Sequence, residues 1–267
     1  DGYTCTYLPS IHLGLSRPAA ASYQQMLVVE NPKSTFSIRG KNKKLDDLPF
    51  AEIEAELVRQ SMLQHLTTAP TTVKAREAQR EKVIAKLEEA HQIFHFTGHG
   101  VYDAADPAAS CLFLSGPDTL DLNDIIELDL SHCPLVCLAA CETAVTGNQT
   151  ITDEYVGLVS AFLKAGVSHV VSTLWRVESA ASAMLVVKFY EQLQADQPPE
   201  IALREAQTFL RQATRQQVIA QTKAMLAKLP PALAPTLRTR LKALRESKIE
   251  YPYAHPYFWA AFSISGL

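Results

Sequence analysis

Short runs of consecutive apolar residues alternate along the chain with segments whose apolar residues recur every three or four positions. The runs predict buried strands, and they lie at 26–30, 93–96, 111–114, 135–140, 170–174 and 257–264. The recurring pattern predicts helices, and these lie at 50–66, 73–90, 122–128, 152–164, 179–194 and 201–248. Strands that alternate with helices at short intervals predict an α/β fold, with a mostly parallel central sheet and helices on both faces.

Turn-forming residues punctuate this pattern. Gly166 is expected to end the fourth helix, and the prolines at 230, 231 and 235 are expected to interrupt the last one. Residues 67–72 are predicted to form a loop, and 115–118 a turn that reverses the strand before it.

Composition narrows the class of protein. The chain has 267 residues, of which 47% are hydrophobic and 20% charged, so it can bury a large core and is not a disordered protein. Its net charge of -3 provides no general attraction to nucleic acid or membranes. We expect no membrane span and no signal peptide. Since the chain does not begin with Met, we expect it to be cut from a larger protein.

Five cysteines, an odd number, argue against a disulfide framework and for a reducing compartment such as the cytoplasm. Histidines and cysteines each form a ladder with a spacing of four, at 91, 95 and 99 and at 133, 137 and 141. Four residues of strand span about 13 Å, whereas Zn–S bonds are about 2.3 Å, so neither ladder can hold one metal. We therefore expect no metal and no cofactor.

His99 and Cys141 differ from the other members of the ladders because each follows a predicted buried strand. An imidazole base beside a thiolate nucleophile is the minimum set for acyl transfer. The backbone N–H groups of Gly100 and Cys141 are candidate donors to the oxyanion. The histidine lies 42 positions before a cysteine that follows Ala140, an order and spacing close to those of caspases. A chance pairing of the two residues stays open at this point.

Most of the other cysteines and histidines have simpler interpretations. Cys111 and Cys137 are expected to be apolar core residues, and Cys133 to lie at the entrance of a strand. His95 is interpreted as a core histidine and His91 as a solvated residue at the end of a charged helix.

Two segments carry a family resemblance, HFTGHG at 95–100 and LAACET at 138–143. They resemble the signature segments of the CHAT family, caspase-like cysteine peptidases related to separases. Further segments at 27–32, 48–54, 153–166, 172–177 and 255–262 also resemble this family, so residues 1–267 are expected to form one CHAT domain. The resemblance implies a caspase-like three-layer sandwich with His99 as base and Cys141 as nucleophile. It also implies an upstream TPR or other repeat domain, an activating partner and, for some members, a role in bacterial defence.

The sequence departs from the family after Trp175, where two acidic residues are usual and Glu178 is followed by Ser179. This strand end contributes to the substrate pocket in related proteins, so Glu178, Arg176 and Asp153 are candidate pocket residues. Glu178 favours a basic substrate side chain and Arg176 opposes it, which leaves the cleavage preference open. Both residues also fit an ordinary solvated loop.

Residues 201–249 carry ten basic residues against two acidic ones and are expected to form a basic helical insertion. RNA or an acidic protein would suit such a surface. Its single aromatic residue, Phe209, offers little for base stacking, so nucleic acid binding is at most indirect.

Three functions fit these observations. The first is a cysteine endopeptidase that cleaves one or a few protein substrates. The second is a catalytically inactive interaction or regulatory module with the same fold, which the intact His99 and Cys141 disfavour. The third is a flavodoxin-like signalling domain that binds a small molecule, which the absence of a phosphate-binding loop disfavours.

Overall fold

A mixed sheet of eight strands lies at the centre of the molecule. The computed structural model describes residues 23–38, 41–101, 110–142, 156–194 and 197–266, and describes the backbone alone at 36–38, 41–43, 140–142 and 156. The strands are β1 Met26–Glu30, β2 Thr35–Ile38, β3 Lys41–Lys44, β4 Thr71–Lys74, β5 Ile93–Val101, β6 Cys111–Phe113, β7 Thr119–Asp121, β8 Leu135–Glu142, β9 His169–Thr173 and β10 Phe262–Gly266. The helices are α1 Pro49–Met62, α2 Arg80–Leu87, α3 Leu122–Ile126, α4 Val156–Lys164, α5 Ser179–Leu193, α6 Pro199–Gln212, α7 Arg215–Lys228 and α8 Ala234–Glu246.

The strand order of the main sheet is β10-β9-β8-β5-β1-β4. The five strands from β9 to β4 are parallel, and β10 is antiparallel to β9. At the carboxyl end of β5, the hairpin of β6 and β7 joins the sheet in antiparallel orientation. The strands β2 and β3 form a separate hairpin. The central strands are buried on both faces, as the runs of apolar residues predict for parallel strands.

Helices cover the sheet on both faces. One core cluster joins α1, α5 and α6 to side chains such as Val28, Leu135 and Cys137. The other joins α2, α3 and α4 to side chains such as Phe94 and Leu138. Because successive side chains of a strand point to opposite faces, each central strand supplies both clusters. The predicted three-layer α/β sandwich with a mostly parallel sheet is confirmed.

The two strands that carry the candidate chemistry are longer than the apolar runs predict. β5 continues to Val101 instead of ending at Phe96, and β8 continues to Glu142. His99 and Cys141 therefore lie within the last third of each strand and not after it. The extra residues, 97–101 of β5 and 141–142 of β8, are mostly polar or small, but their backbone pairs from strand to strand as far as Gly100 and Glu142.

The prediction of one long helix over 73–90 is wrong. Thr71–Lys74 is the edge strand β4, which pairs with β1, and the helix α2 begins only at Arg80. Pairing of β4 with a buried strand stabilises an extended conformation that local helix propensity does not predict. A short 3₁₀ helix at Ala75–Glu77 lies between β4 and α2.

The long carboxyl-terminal helical segment consists of α6, α7 and α8. The predicted interruption is confirmed at Pro230 and Pro231, which lie between α7 and α8, whereas Pro235 lies in the first turn of α8 and does not interrupt it. A second break, which was not predicted, lies before Arg215, where Thr214 and Gln217 form a reciprocal capping box that starts α7. Gly166, at φ +116°, lies just after α4, and the predicted helix end is confirmed there. In the part of the chain that the structure describes, no helix has both the length and the apolar character needed to cross a membrane.

Candidate active site

The sheet places His99 and Cys141 side by side. β5 and β8 are adjacent parallel strands, and His99 is the register partner of Cys141. Adjacent strands of a sheet lie about 4.8 Å apart, so the two backbones are neighbours at the same level of the sheet. The two residues predicted from the strand ends are thus brought together by the fold, although they lie 42 positions apart in sequence.

The imidazole of His99 is buried, with 1% of the residue exposed. Its Nε2 lies 2.7 Å from the backbone carbonyl oxygen of Asp46, in the segment that leads into α1. A carbonyl oxygen can only accept, so Nε2 carries the proton and donates it. This bond leaves the lone pair on Nδ1, which has no hydrogen-bond partner among the described residues.

The surroundings of His99 favour its neutral form. Burial lowers the pKa of His99 below its ordinary value of 6.5, the hydrogen bond to the Asp46 carbonyl opposes this change, and the charge of Arg176 adds to it. An imidazole with a lowered pKa and a free Nδ1 is present as a base at neutral pH.

The candidate oxyanion donors, Gly100 and Cys141, both lie inside strands. Gly100 is the register partner of Glu142 on β8 and of Leu112 on β6, so it lies where the hairpin joins the sheet.

The three candidate pocket residues have different positions. Arg176 is exposed on the loop after β9 and acts electrostatically on His99. The Glu178 carboxylate caps the amino terminus of α5 by accepting from the Ala181 N–H at 3.0 Å, and Oε1 lies 3.4 Å from Nη2 of Arg240 on α8. Its structural partners make Glu178 a helix cap as well as a candidate pocket residue. Asp153 lies outside the described residues.

A small, open cavity with about 30 Å³ of interior space lies beside the pair on the α1 and α5 face of the sheet. It is lined by Leu48, Phe50, Ala51, Glu54, Thr97, Gly98, Ala139, Ser179 and Ser182. Thr97 and Ala139 are register partners, two positions before His99 and Cys141. Most of the lining side chains are small, and Glu54 contributes a carboxyl group to the lining.

A second register pair, His95 and Cys137, lies deeper in the same strands. Both residues are fully buried. The Tyr190 hydroxyl lies 3.2 Å from His95 Nδ1, and Glu54 Oε1 lies 3.3 Å from His95 Nε2. Burial raises the pKa of the Cys137 thiol well above its ordinary range. His95 and Cys137 are therefore core residues, as the sequence predicts.

Cys111, Cys133 and His91 are structural residues as well. Cys111 and Cys133 are buried, and burial raises the pKa of each thiol to about 12. The prediction of a solvated His91 is wrong, because it is 3% exposed, with Nδ1 at 3.0 Å from the Lys86 carbonyl and Nε2 at 3.1 Å from the Thr71 hydroxyl. The unpredicted strand β4 is the element that supplies Thr71. Across the described residues, no group of three His, Cys, Asp or Glu side chains is placed to hold a metal ion.

Two residues that contribute to the site were not predicted. The Asp46 contribution comes from its backbone, which no side-chain motif signals. Glu54 does have a signal in the sequence, because it lies among Ala51, Ala55 and Val58 on the buried stripe of α1. A charged residue on the apolar stripe of a helix is unusual unless it has a partner or a function.

The fold and this pair define a class of α/β proteins with a histidine and a cysteine in register near the carboxyl ends of adjacent parallel strands. The chain belongs to the CHAT domain family, whose model matches residues 1–267. A search of curated proteins found no significant match.

Several solved structures resemble the chain at low identity. The Arg specific cysteine proteinase gingipain R matches with 12% identity and a TM-score of 0.46, over 97% of this chain and 50% of that one. A complex of the pro- and mature domains of RgpB from Porphyromonas gingivalis matches with 12% identity and a TM-score of 0.41, over 91% of this chain and 47% of that one. The Drosophila initiator caspase Dronc matches with 12% identity and a TM-score of 0.37, over 78% of this chain and 83% of that one. The chain spans about half the length of the gingipain structures.

Proposed function

We propose that this CHAT domain is a cysteine endopeptidase that uses His99 as the base and Cys141 as the nucleophile. The observation that carries the proposal is the register of β5 with β8, which pairs a buried neutral histidine with a cysteine. The anchored Nε2 of His99, and its Nδ1 without a partner among the residues described, support the role of a general base.

In this mechanism, Nδ1 of His99 takes the proton of the Cys141 thiol, and the thiolate attacks the carbonyl carbon of the scissile peptide bond. The N–H groups of Gly100 and Cys141 donate to the oxyanion that forms. The imidazolium then gives its proton to the leaving amine, and water hydrolyses the thioester. The Asp46 carbonyl holds the ring in place and stabilises the imidazolium by accepting from Nε2.

The resemblance adds finer proposals about the setting of the enzyme. These are one or a few protein substrates, an upstream repeat domain, an activating partner, a cytoplasmic location and a role in bacterial defence. The single-domain organisation over 1–267 and the basic insertion at 201–249 also remain predictions.

Thiol reactivity tests the proposed pair directly. We expect an iodoacetamide probe at neutral pH to label Cys141 in preference to Cys111, Cys133 and Cys137, because burial keeps these three thiols protonated. His99→Ala should slow this labelling by at least about tenfold. His132→Ala is the matched control, since Nε2 of that ring donates to the Leu87 backbone carbonyl oxygen at 3.0 Å, outside β8. Mass mapping of the labelled peptides provides the measurement.

Two results would contradict the proposal. Equal labelling of all the cysteines, or labelling that is unchanged in His99→Ala, would remove the evidence for a base. Selective, His99-dependent labelling of a protein that cleaves no member of a peptide library would instead favour an interaction or regulatory module.

A further inference from the structure

The ten basic residues of segment 201–249 fall into two groups. Four arginines make contacts within the molecule, with acidic, aromatic or backbone groups, and they are Arg204, Arg211, Arg215 and Arg240. The other six side chains are exposed, and they are Lys223, Lys228, Arg238, Lys242, Arg245 and Lys248. Within the described parts of the chain, the one ion pair of these six joins Lys242 to Glu246 at 3.9 Å, and both side chains are largely exposed. An exposed pair at this distance contributes little, so the six charges are available to a partner.

Three of the exposed basic side chains form a stripe along α8. Arg238, Lys242 and Arg245 follow the spacing i, i+4, i+7, which places them on one side of the helix over about 10 Å. The buried leucines of α8, at 237, 241 and 244, have the same spacing one residue earlier. The two stripes therefore run side by side, about 100° apart around the helix axis. The leucines fix α8 against the core, and the basic stripe faces the solvent.

The neighbouring helix α7 extends this surface. α7 packs against α8, and both helices turn their buried side chains inward, so their exposed sides lie next to each other. Lys223 and Lys228 are exposed on α7, and the exposed residues between them, Ala224 and Ala227, are small. Small side chains between the cations allow the backbone of another helix to approach closely. We call the exposed sides of α7 and α8 the basic face.

The charge and composition of the basic face favour an acidic protein segment over nucleic acid. Segment 201–249 has a net charge of +8, whereas the rest of the chain has a net charge of -11. A long polyanion that runs beyond the face would meet this negative charge, but a short acidic segment contacts the face alone. Neither α7 nor α8 contains an aromatic residue, so nucleic acid bases have nothing there to stack on.

We propose that the basic face is the docking surface for an acidic helical segment of a partner protein. Carboxylates that recur every three or four residues on the partner helix would match the spacing of Arg238, Lys242 and Arg245. The inference does not depend on the proposed peptidase activity, because none of these residues belongs to the candidate active site. It places the partner on the helix whose Arg240 Nη2 lies 3.4 Å from Oε1 of the candidate pocket residue Glu178.

Two labelled peptides provide the test, with fluorescence anisotropy as the measurement of affinity. The first is an alanine-rich peptide of about 20 residues, long enough to form a helix, whose glutamates lie on one side of that helix. The second has the same composition in an order that spreads the glutamates around the helix. We expect the first peptide to bind about tenfold more tightly, and its binding to weaken as salt is added.

A triple variant of the stripe locates the binding. Arg238→Gln, Lys242→Gln and Arg245→Gln together should weaken binding of the first peptide by about tenfold, the sum of three exposed charge pairs. The matched control is Lys74→Gln, Arg76→Gln and Lys82→Gln. It removes the same charge from exposed residues in and before α2, which packs against the opposite face of the sheet. The control should bind the peptide as the unchanged protein does. Thermal unfolding checks that both variants are folded.

Each of the other outcomes overturns the proposal. Equal weakening in the two triple variants would show that binding follows net charge and not the basic face. Equal affinity for the two peptides would remove the evidence for a helical partner, and a protein that binds neither peptide has no docking surface of this kind. Single-stranded poly(U) RNA of matched charge that binds more tightly than the first peptide, with the same dependence on the stripe, would assign the basic face to nucleic acid.

Discussion

Two histidine–cysteine pairs lie on the same two strands, four residues apart. His95 is the register partner of Cys137, and His99 is the register partner of Cys141. Residue types, strands and pairing are the same in both, so any difference in chemistry must come from the surroundings. The inner pair is covered by Tyr190 and Glu54. The outer histidine is held instead by a backbone carbonyl, and its Nδ1 has no hydrogen-bond partner in the described part of the chain.

This comparison shows that a His–Cys pair is not a catalytic site by composition alone. At the inner pair, His95 Nδ1 is already engaged with the Tyr190 hydroxyl, and burial raises the pKa of the Cys137 thiol. A neutral thiol in the core is a weak nucleophile. At the outer pair, a backbone acceptor fixes the ring through Nε2 and keeps Nδ1 available, which is the arrangement that a general base needs.

Exchanging the two cysteines for alanine gives the largest expected effect. Cys141→Ala should lower the cleavage rate by at least about 10³-fold, because it removes the proposed nucleophile. Cys137→Ala should leave the rate within about threefold of the original and lower the free energy of unfolding by about 1–2 kcal/mol, because it creates a small void in the core. Initial rates of peptide cleavage and urea unfolding curves measure the two effects.

Reversed effects of the two variants would contradict the assignment of the chemistry to the outer pair. A Cys137→Ala protein that folds normally but has lost activity would place the chemistry at the inner pair. Cys133→Ala is the control for removing a buried thiol from the other face of the sheet, where the residue belongs to the opposite core cluster.

The sequence was sufficient to predict the layers of the fold and to single out the outer pair. Parallel strands buried on both faces leave continuous apolar runs, and His99 and Cys141 were recognisable because each follows such a run. The edge strand β4 was not predictable in this way, since its extended conformation depends on pairing with β1, which lies 45 residues earlier. His91 was misinterpreted for the same reason, because its partner Thr71 is on that strand.

The contributions of backbone atoms and of long-range contacts to the site were not predictable. The carbonyl of Asp46 has no sequence signature, and it meets His99 only because the segment before α1 passes over the end of β5. Glu178 was expected to lie in the pocket, but its carboxylate also caps α5 and meets Arg240 of α8, a contact across 62 positions that no local pattern encodes.

Removing the hydroxyl that covers the inner pair should have an intermediate effect, on stability. Tyr190→Phe leaves His95 Nδ1 buried without its partner, and we expect the free energy of unfolding to fall by about 1–3 kcal/mol. The rate of Cys141 labelling should not change, because the Tyr190 hydroxyl lies at His95 and the proposed base His99 is held by the Asp46 carbonyl instead. Urea unfolding provides the measurement.

Tyr257→Phe, at a tyrosine that is 41% exposed, is the matched control, and its free energy of unfolding should stay within about 0.5 kcal/mol of the original. Equal stability of the two variants would mean that the inner pair does not depend on the hydroxyl.

The smallest effect concerns the pH dependence of the outer pair. Arg176 lowers the pKa of His99, and a protonated His99 cannot act as a base, so the labelling rate of Cys141 should fall as the pH drops through the lowered pKa. Arg176→Gln removes a positive charge and should raise the pKa of His99, which moves this fall toward higher pH. The expected shift is about 0.3 of a pH unit, the order of magnitude for one exposed charge that acts through a solvent-like dielectric. Labelling rates between about pH 5 and 8, at low and high salt, measure this shift, which should shrink as salt screens the exposed charge.

Arg238→Gln, at an exposed residue of α8, serves as the control. A shift toward lower pH, or the same shift in both variants, would show that Arg176 does not act on the base, and the contrast between the pairs would then rest on burial and hydrogen bonding alone.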